Sequence, residues 1–157
     1  MNTKSELGII TTEITFRNMK ITFKELNDDS EWNYINIFKH ELDDVKGIII
    51  VFDVTNENSF NTAKSLINYV QNTTSIFINI FLVGNKCDLI MDTIITYKEV
   101  SEFIRDKECV YYKEISCKDE TNLNGLFSYL EDGLYYDCGP KNNKKTKNDN
   151  SLSCALF

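Results

Sequence analysis

Apolar and polar positions along this chain predict an alternation of strands and helices. Three segments have the length and the apolar, β-branched or aromatic content of strands buried in a parallel sheet: Gly47–Phe52, Ile76–Val83 and Cys109–Ile115. Apolar residues at helical spacing predict amphipathic helices over 59–72 and 123–134. Each helix follows a strand, which is the pattern of an α/β domain.

The start of the chain has a different pattern. Residues 7–26 are predicted to form a β-hairpin, because apolar positions such as Ile14 and Phe16 alternate with polar ones. Thr96 and Glu99 form a capping box, which predicts one more helix between the second and third buried strands. A hairpin followed by three strand–helix units implies right-handed crossovers. We therefore expect a mainly parallel α/β sheet with helices on both faces and one antiparallel edge strand from the hairpin.

The composition is that of one globular domain followed by a tail. The 157 residues are 42% hydrophobic and 26% charged, which is sufficient for one domain with a buried core. After about residue 136 the chain becomes rich in Lys, Asn and Ser, and such a segment cannot bury a core. We therefore divide the chain into a folded domain, 1–136, and a flexible tail, 137–157.

Charge and cysteine content argue against several kinds of function. The net charge of −7 is unsuited to binding nucleic acid. No apolar run approaches the roughly 18 residues that a bilayer-spanning helix needs. The five cysteines include no Cys-x-x-Cys pair and only one histidine accompanies them, so we expect reduced thiols and no metal site.

Two polar clusters directly follow predicted strands. The first is Asn85-Lys86-Cys87-Asp88 and the second is Ser116-Cys117-Lys118. In open α/β sheets, ligands bind beyond the carboxyl ends of the strands. Both clusters are therefore expected to line one crevice.

The two clusters carry a family resemblance. Gly84–Leu89 looks like the Asn-Lys-x-Asp motif that recognises guanine in Ras-superfamily small GTPases, and Glu114–Lys118 is similar to their second base-contacting motif, Glu-Thr-Ser-Ala-Lys. Val51–Thr55, followed by Ser59-Phe60, matches the Rab branch. The resemblance covers roughly residues 4–136. It implies the P-loop small GTPase fold, a guanine-nucleotide ligand, effector or regulator proteins as partners, and a role in vesicle-mediated protein transport at membranes.

The resemblance also implies a role for the members of the two clusters. A guanine edge offers two adjacent donors, N1–H and the 2-amino group, and Asp88 would accept both, whereas adenine lacks that pair. Lys86 would lay its aliphatic stem over the base, and Lys118 would cover the other face. Asn85 would tie neighbouring loops together. The backbone N–H of Cys117, which replaces the usual Ala, would donate to guanine O6.

One part of the family pattern is missing from this sequence. No Gly-x-x-x-x-Gly-Lys-Ser/Thr phosphate loop occurs in it. In the family, that loop follows a first strand, which lies between the second hairpin strand and the strand at Gly47–Asp53, and precedes a helix. Without the strand and the helix we expect an uncovered sheet face and unpaired backbone edges, unless the two strands close up or a partner fills the gap.

The segment after the hairpin also departs from the family's Trp-Asp-Thr-Ala-Gly-Gln switch. Asn27 replaces the carboxylate that orders the magnesium shell, Ser30 the glycine that senses the γ-phosphate, and Glu31 the glutamine that orients water. We therefore assign no catalytic residue and expect weak or lost GTP and GDP binding, with no preserved Mg²⁺ site. Two interpretations stay open: an incomplete copy of an ordinary GTPase, or a pseudo-GTPase that acts as a non-enzymatic, lipid-anchored interaction module.

The final residues resemble a lipidation signal. Cys154-Ala155-Leu156-Phe157 has the C-a-a-X pattern with a final Phe, which favours geranylgeranyl transfer to Cys154. Four lysines lie upstream: Lys141, Lys144, Lys145 and Lys147. One lipid anchors only marginally, and a basic stretch is the usual second signal for anionic membranes. We expect an anchor at the cytoplasmic face of an endomembrane or the plasma membrane, with a cytosolic pool.

Overall fold

The computed structural model describes the backbone of residues 2–6, 9–16, 19–26, 45–73, 78–135 and 151–156. Within these ranges lie seven strands: β1 (Asn2–Glu6), β2 (Ile9–Phe16), β3 (Met19–Leu26), β4 (Gly47–Asp53), β5 (Asn79–Asn85), β6 (Val110–Glu114) and β7 (Ser151–Leu156). The same ranges hold three α-helices, α1 (Glu57–Thr73), α2 (Tyr97–Ile104) and α3 (Leu123–Tyr135), and one short 3₁₀ helix, Ile90–Asp92. No helix in the described ranges is both long enough and apolar enough to cross a membrane.

The described strands form one sheet in the order β1-β2-β3-β7-β4-β5-β6. β2 runs antiparallel to β1 and β3, and the pairs from β3 to β6 are all parallel. The predicted α/β class with a mainly parallel sheet is therefore confirmed. The antiparallel strand is second from the edge, because β1, which polar Asn2–Glu6 did not predict, pairs with its outer side.

Helices cover both faces of the parallel strands. On one face, alternate residues of β4 such as Ile48 and Ile50 pack against α1, which contributes Phe60 and Ile67. On the other face, Ile49 and the neighbouring β5 residues pack against Leu126 and Leu130 of α3. The side chain of Val51, two residues along from Ile49 on this second face, stays 38% exposed. At Val51, therefore, this face of β4 is only partly covered.

Most predicted elements appear within a few residues of their predicted bounds. β5 runs past Val83 to Asn85, because Gly84 and Asn85 remain paired with Phe52 and Asp53 of β4. α2 begins as predicted, since the Thr96 hydroxyl accepts a hydrogen bond from the Glu99 N–H at 3.2 Å. One chemical expectation is wrong: Cys109 is disulfide-bonded rather than reduced, while Cys87 and Cys117 are free thiols.

The strand β7 corrects the prediction of a flexible tail for the end of the chain. Residues Ser151–Leu156 lie between β3 and β4, parallel to both. This is the position that the resemblance gives to the family's first strand, so the expected gap is filled by the chain itself. The physical reason is that β3 and β4 would otherwise expose unpaired backbone groups inside the sheet. A short segment after a polar stretch gives no local signal of such long-range pairing.

Candidate functional site

The loops that follow β5 and β6 lie side by side at the carboxyl edge of the sheet. Gly84 and Glu114 are paired near the ends of these strands. Two backbone hydrogen bonds continue this pairing into the loops: the Ile115 N–H donates to Gly84 O at 2.8 Å, and the Cys87 N–H donates to Ile115 O at 3.1 Å. The parallel sheet therefore brings together the two clusters that the sequence placed in one crevice.

Asn85 links the two loops directly. Its Oδ1 atom accepts hydrogen bonds from the Lys86 N–H at 2.8 Å and from the Cys117 N–H at 3.1 Å. This is the linking contact that the resemblance implies for Asn85. It also engages the Cys117 amide, so a base carbonyl would have to share that donor or displace Asn85 from it.

Asp88 is held by the second loop. The hydroxyl of Ser116, a buried side chain, donates to Asp88 Oδ1 at 2.7 Å. The same hydroxyl oxygen accepts the N–H groups of Lys118 at 3.2 Å and Asp119 at 3.3 Å, which fixes its orientation. Asp88 Oδ2 lies 3.9 Å from Lys118 Nζ, beyond hydrogen-bonding distance. The carboxylate is thus oriented through one oxygen, while its other oxygen has only a long ionic contact to Lys118.

Lys86 is positioned by Asp53, which the sequence analysis did not single out. The backbone of Lys86 is in the left-handed region, with a φ of 68°. Its side chain forms an ion pair with Asp53, with 2.5 Å between Nζ and Oδ2. Asp53 Oδ1 accepts hydrogen bonds from the Thr55 N–H at 2.8 Å and from Thr55 Oγ1 at 2.7 Å. Partial burial acts to raise the pKa of Asp53, but the hydrogen bonds from Lys86 and Thr55 outweigh it and hold that pKa below its ordinary value. Asp53 is therefore a charged partner for Lys86.

The sequence could place Asp53 at the end of a predicted strand, but it could not set Asp53 opposite Asn85. Asp53 is the last residue of β4, and the parallel register sets it opposite Asn85, the last residue of β5. Two neighbouring parallel strands that end together present their last polar residues at the same edge.

Cys87, between Lys86 and Asp88, has no role as a nucleophile here. Burial raises the pKa of the Cys87 thiol, and the negative charges of Glu114, Asp119 and Asp88 raise it further. Such a thiol stays protonated at neutral pH and is a poor nucleophile.

The remaining predicted residues have different outcomes. Asn27, Ser30 and Glu31 lie outside the described residues. Cys154 lies in β7. Across the described ranges no group of three or more His, Cys, Asp or Glu side chains is arranged to hold a metal ion. The candidate site is therefore a polar site formed by the two loops.

Comparisons with known proteins agree with the fold and with the loop motifs. A family model described as "Ras family" matches residues 9–135. Among curated proteins, Ras-related protein RIC1 of Oryza sativa subsp. japonica is 40% identical over 81 residues, which are 52% of this chain and 40% of that protein. Ras-related protein RabT2 of Dictyostelium discoideum is 33% identical over 119 residues, covering 71% of this chain and 55% of that protein.

A third relative is GTP-binding protein ypt1 of Schizosaccharomyces pombe, 37% identical over 81 residues, which are 52% of this chain and 39% of that protein. The chain thus spans about half the length of the curated relatives it matches, or less.

The fold, the two loops and the matches together define a small GTPase domain. The chain belongs to the Ras family, and several of its relatives, RabT2 among them, carry Rab names. Members of this family generally use GTP or GDP with Mg²⁺.

Proposed function

We propose that this chain binds the guanine base of a nucleotide between the loop after β5 and the loop after β6. The observation that supports this most directly is the pair of hydrogen bonds joining the loops, Ser116 Oγ to Asp88 and the Cys117 N–H to Asn85. These contacts bring a carboxylate and a backbone donor to one place, as recognition of a purine edge requires.

The chemistry of Asp88 favours guanine over adenine. A carboxylate that faces two adjacent N–H donors forms a charge-assisted, two-point contact. Adenine presents no such pair, so its binding would displace water from Asp88 without supplying hydrogen bonds in return, which costs about 1–3 kcal/mol. In this proposal Lys86 and Lys118 lie against opposite faces of the base, and an ion pair with Asp53 holds Lys86 in place.

Phosphate binding by this chain alone is proposed to be weak. The sequence holds no phosphate loop, and in small GTPases that loop and magnesium carry most of the interactions with the phosphates. Charged hydrogen bonds contribute about 1.5–3 kcal/mol each, so the loss of about five removes on the order of 8–15 kcal/mol. Base contacts cannot replace that amount, and we propose neither tight GTP binding nor useful hydrolysis.

Isothermal titration tests both halves of this proposal. The chain is titrated with GDP, GTP and ATP, each with and without Mg²⁺. We expect weak binding of the guanine nucleotides, poorer than about 1 µM, and weaker binding of ATP. Sub-micromolar affinity for GTP would overturn the weak-binding part, and a preference for ATP over GDP would overturn the base assignment.

The cellular role proposed for the chain is that of a Rab-type protein in vesicle traffic, acting at a cytoplasmic membrane face. The names of the relatives support the family part of this role. A geranylgeranyl group on Cys154, with the upstream lysines, would supply the anchor, and effector or regulator proteins would be the partners. Mass spectrometry of the cellular protein tests the anchor, because an unmodified Cys154–Phe157 end would exclude it.

A pseudo-GTPase is the second candidate, and one structural observation favours it. β7 lies between β3 and β4, where the resemblance places the strand that leads into the phosphate loop. A chain in this arrangement has no room there for that strand. Nucleotide titration of the chain with and without an added family front segment separates the candidates. Restored tight binding indicates an ordinary GTPase domain, and unchanged weak binding indicates an interaction module that does not cycle nucleotide.

A further inference from the structure

The slot between β3 and β4 is filled unevenly by β7. All six residues of β7 pair with β3, from Lys20 to Glu25. Only Cys154, Ala155 and Leu156 pair on the other side as well, with Gly47, Ile48 and Ile49 of β4. The part of β7 that has neighbours on both edges is therefore the part that contains Cys154 and the two residues after it.

We propose that this slot is a strand-binding site whose occupant is the chain's own segment Ser151–Leu156, and that its occupancy withholds Cys154 from lipidation. The inference rests on the proposed lipid anchor for its consequence, but the strand-binding site itself rests on the sheet pairing alone. The strand-inserted form and the membrane-anchored form would then exclude each other. Release of β7 becomes a step that must precede anchoring.

The chemistry of prenyl transfer explains the exclusion. The sulfur of Cys154 forms a bond to C1 of geranylgeranyl diphosphate while the C1–O bond breaks, diphosphate leaves, and the thiol proton passes to solvent. The transferase must enclose the last four residues to perform this step. The backbone of Cys154 is paired with Phe23 of β3 on one side and with Gly47 of β4 on the other. While this pairing lasts, Cys154 cannot enter the active site of a transferase.

Hydrogen exchange of the full, unlipidated chain tests the strand-binding site without any lipid. Amides of 152–156 are compared with those of a synthetic peptide covering 148–157. We expect the amides in the protein to exchange slower by about a hundredfold or more, as in a sheet interior. Exchange at the rate of the peptide would overturn the proposal.

Two matched double variants test the consequence. The double variant Leu152→Pro and Ser153→Pro lacks both backbone N–H groups. Successive N–H groups of a strand point to opposite sides, so one of the two points towards β3 and its hydrogen bond is lost. Leu152→Ala with Ser153→Ala makes similar side-chain losses and keeps the amides. Neither pair alters the Cys154–Phe157 pattern. With purified geranylgeranyltransferase we expect modification of the proline pair about tenfold faster than of the alanine pair, which is the effect of about one lost hydrogen bond.

Synthetic peptides of 148–157 with the same two double changes serve as controls, because no sheet protects them. Equal rates for the two peptides, with unequal rates for the two proteins, support the strand as the cause. Equal rates for wild-type protein and wild-type peptide would overturn it. If the wild-type peptide is not modified at all, the lipid anchor is wrong, and hydrogen exchange alone decides whether the slot binds β7.

Discussion

At the scale of single residues, the site uses two aspartates in different ways. Asp53 has short contacts at both carboxylate oxygens, with Lys86 at one and Thr55 at the other. Asp88 accepts a short hydrogen bond from Ser116 on one oxygen, and its other oxygen has only a long ionic contact to Lys118. Asp88 is therefore the carboxylate with capacity for a ligand, and Asp53 is a support for Lys86.

Asp88→Asn is expected to weaken GDP binding by tenfold or more. The amide replaces a charged acceptor with a neutral group and can set a donor against the guanine donors, and charged hydrogen bonds contribute about 1.5–3 kcal/mol. Asp92→Asn makes the same chemical change on an exposed 3₁₀ helix outside the two loops and serves as the control. Isothermal titration gives the affinities. Equal GDP affinity for the two variants, with both folded, would contradict the assignment of Asp88.

Asp53→Asn is expected to lower the stability of the protein by less than about 1 kcal/mol at pH 7, because Lys86 is half exposed to solvent. The effect should depend on pH. Since folding lowers the pKa of Asp53, its stabilising contribution is fully present above the ordinary value of 3.8 and is lost as the pH falls through the lower folded value. Thermal unfolding at several pH values should show the difference between variant and wild type shrinking only below about pH 4.

A double-mutant cycle assigns that effect to the ion pair. If Asp53 and Lys86 interact, Asp53→Asn and Lys86→Met should be less costly together than the sum of the two single changes. Additive effects would show that Asp53 contributes through its hydrogen bonds with Thr55 and not through Lys86.

Residue roles were partly predictable from the sequence. The two motifs were expected at the ends of neighbouring strands, and the structure places Asn85, Asp88 and Ser116 there, in contact across the two loops. Asp53 was missed because its importance depends on strand register, which sets it opposite Asn85. The use of the Cys117 amide by Asn85 could not be predicted either, since it depends on how closely the two loops approach.

At the scale of elements, β5 packs closely against both neighbouring strands at Gly84. A Cβ added at Gly84 would lie 2.7 Å from the Tyr112 hydroxyl oxygen on β6 and 2.9 Å from Val54 Cγ1, just after β4. That hydroxyl donates to Glu114 Oε1 at 2.8 Å, and burial raises the pKa of Tyr112, so the phenol stays a neutral donor. Gly84 therefore permits the close approach on which the site edge is built.

Gly84→Ala is expected to destabilise the protein by about 1–3 kcal/mol, as overpacking in a filled core does. Gly125→Ala is the matched control, because its new Cβ would meet only the end of the Lys113 side chain, at 3.3 Å, and Ala is the better helix former within α3. Denaturant unfolding measures both. A Gly84→Ala variant as stable as Gly125→Ala would contradict the close packing between β5 and β6.

The helices and strands differ in how well the sequence predicted them. Local sequence was sufficient to predict the elements with long, regular apolar patterns. These are the strands β4 and β5, which are continuous apolar runs, and the helices α1 and α3, in which apolar residues recur at helical spacing. β1 and β7 are short, and each forms because a neighbouring strand offers unpaired backbone groups. The pairing of β7 joins distant parts of the chain, which no local pattern specifies. β1 pairs with the next strand in sequence, and its polar residues gave no signal of a strand.

At the scale of the whole molecule, the negative net charge opposes binding to an anionic membrane, so anchoring needs the local basic stretch. The chain carries a net charge of −7, which repels an anionic leaflet, while Lys141, Lys144, Lys145 and Lys147 form a local basic stretch. In the proposed anchored form, Cys154 leaves β7 and carries the lipid, and the four lysines stand next to it in the sequence. A single lipid binds membranes only marginally, so the lysines should decide whether anchoring persists.

The lipidated chain is accordingly expected to bind vesicles that contain phosphatidylserine far better than neutral phosphatidylcholine vesicles. Each lysine near an anionic surface contributes about 1 kcal/mol, so changing all four to Gln should weaken binding to the anionic vesicles by about a hundredfold or more. Binding of that variant to neutral vesicles should stay the same, which separates charge from lipid insertion. Co-sedimentation at low and at high salt measures both quantities, and high salt should weaken wild-type binding to anionic vesicles towards that of the Gln variant. If wild-type binding depends on neither salt nor vesicle charge, the lysines take no part in anchoring. The lipid would then act together with some other contact.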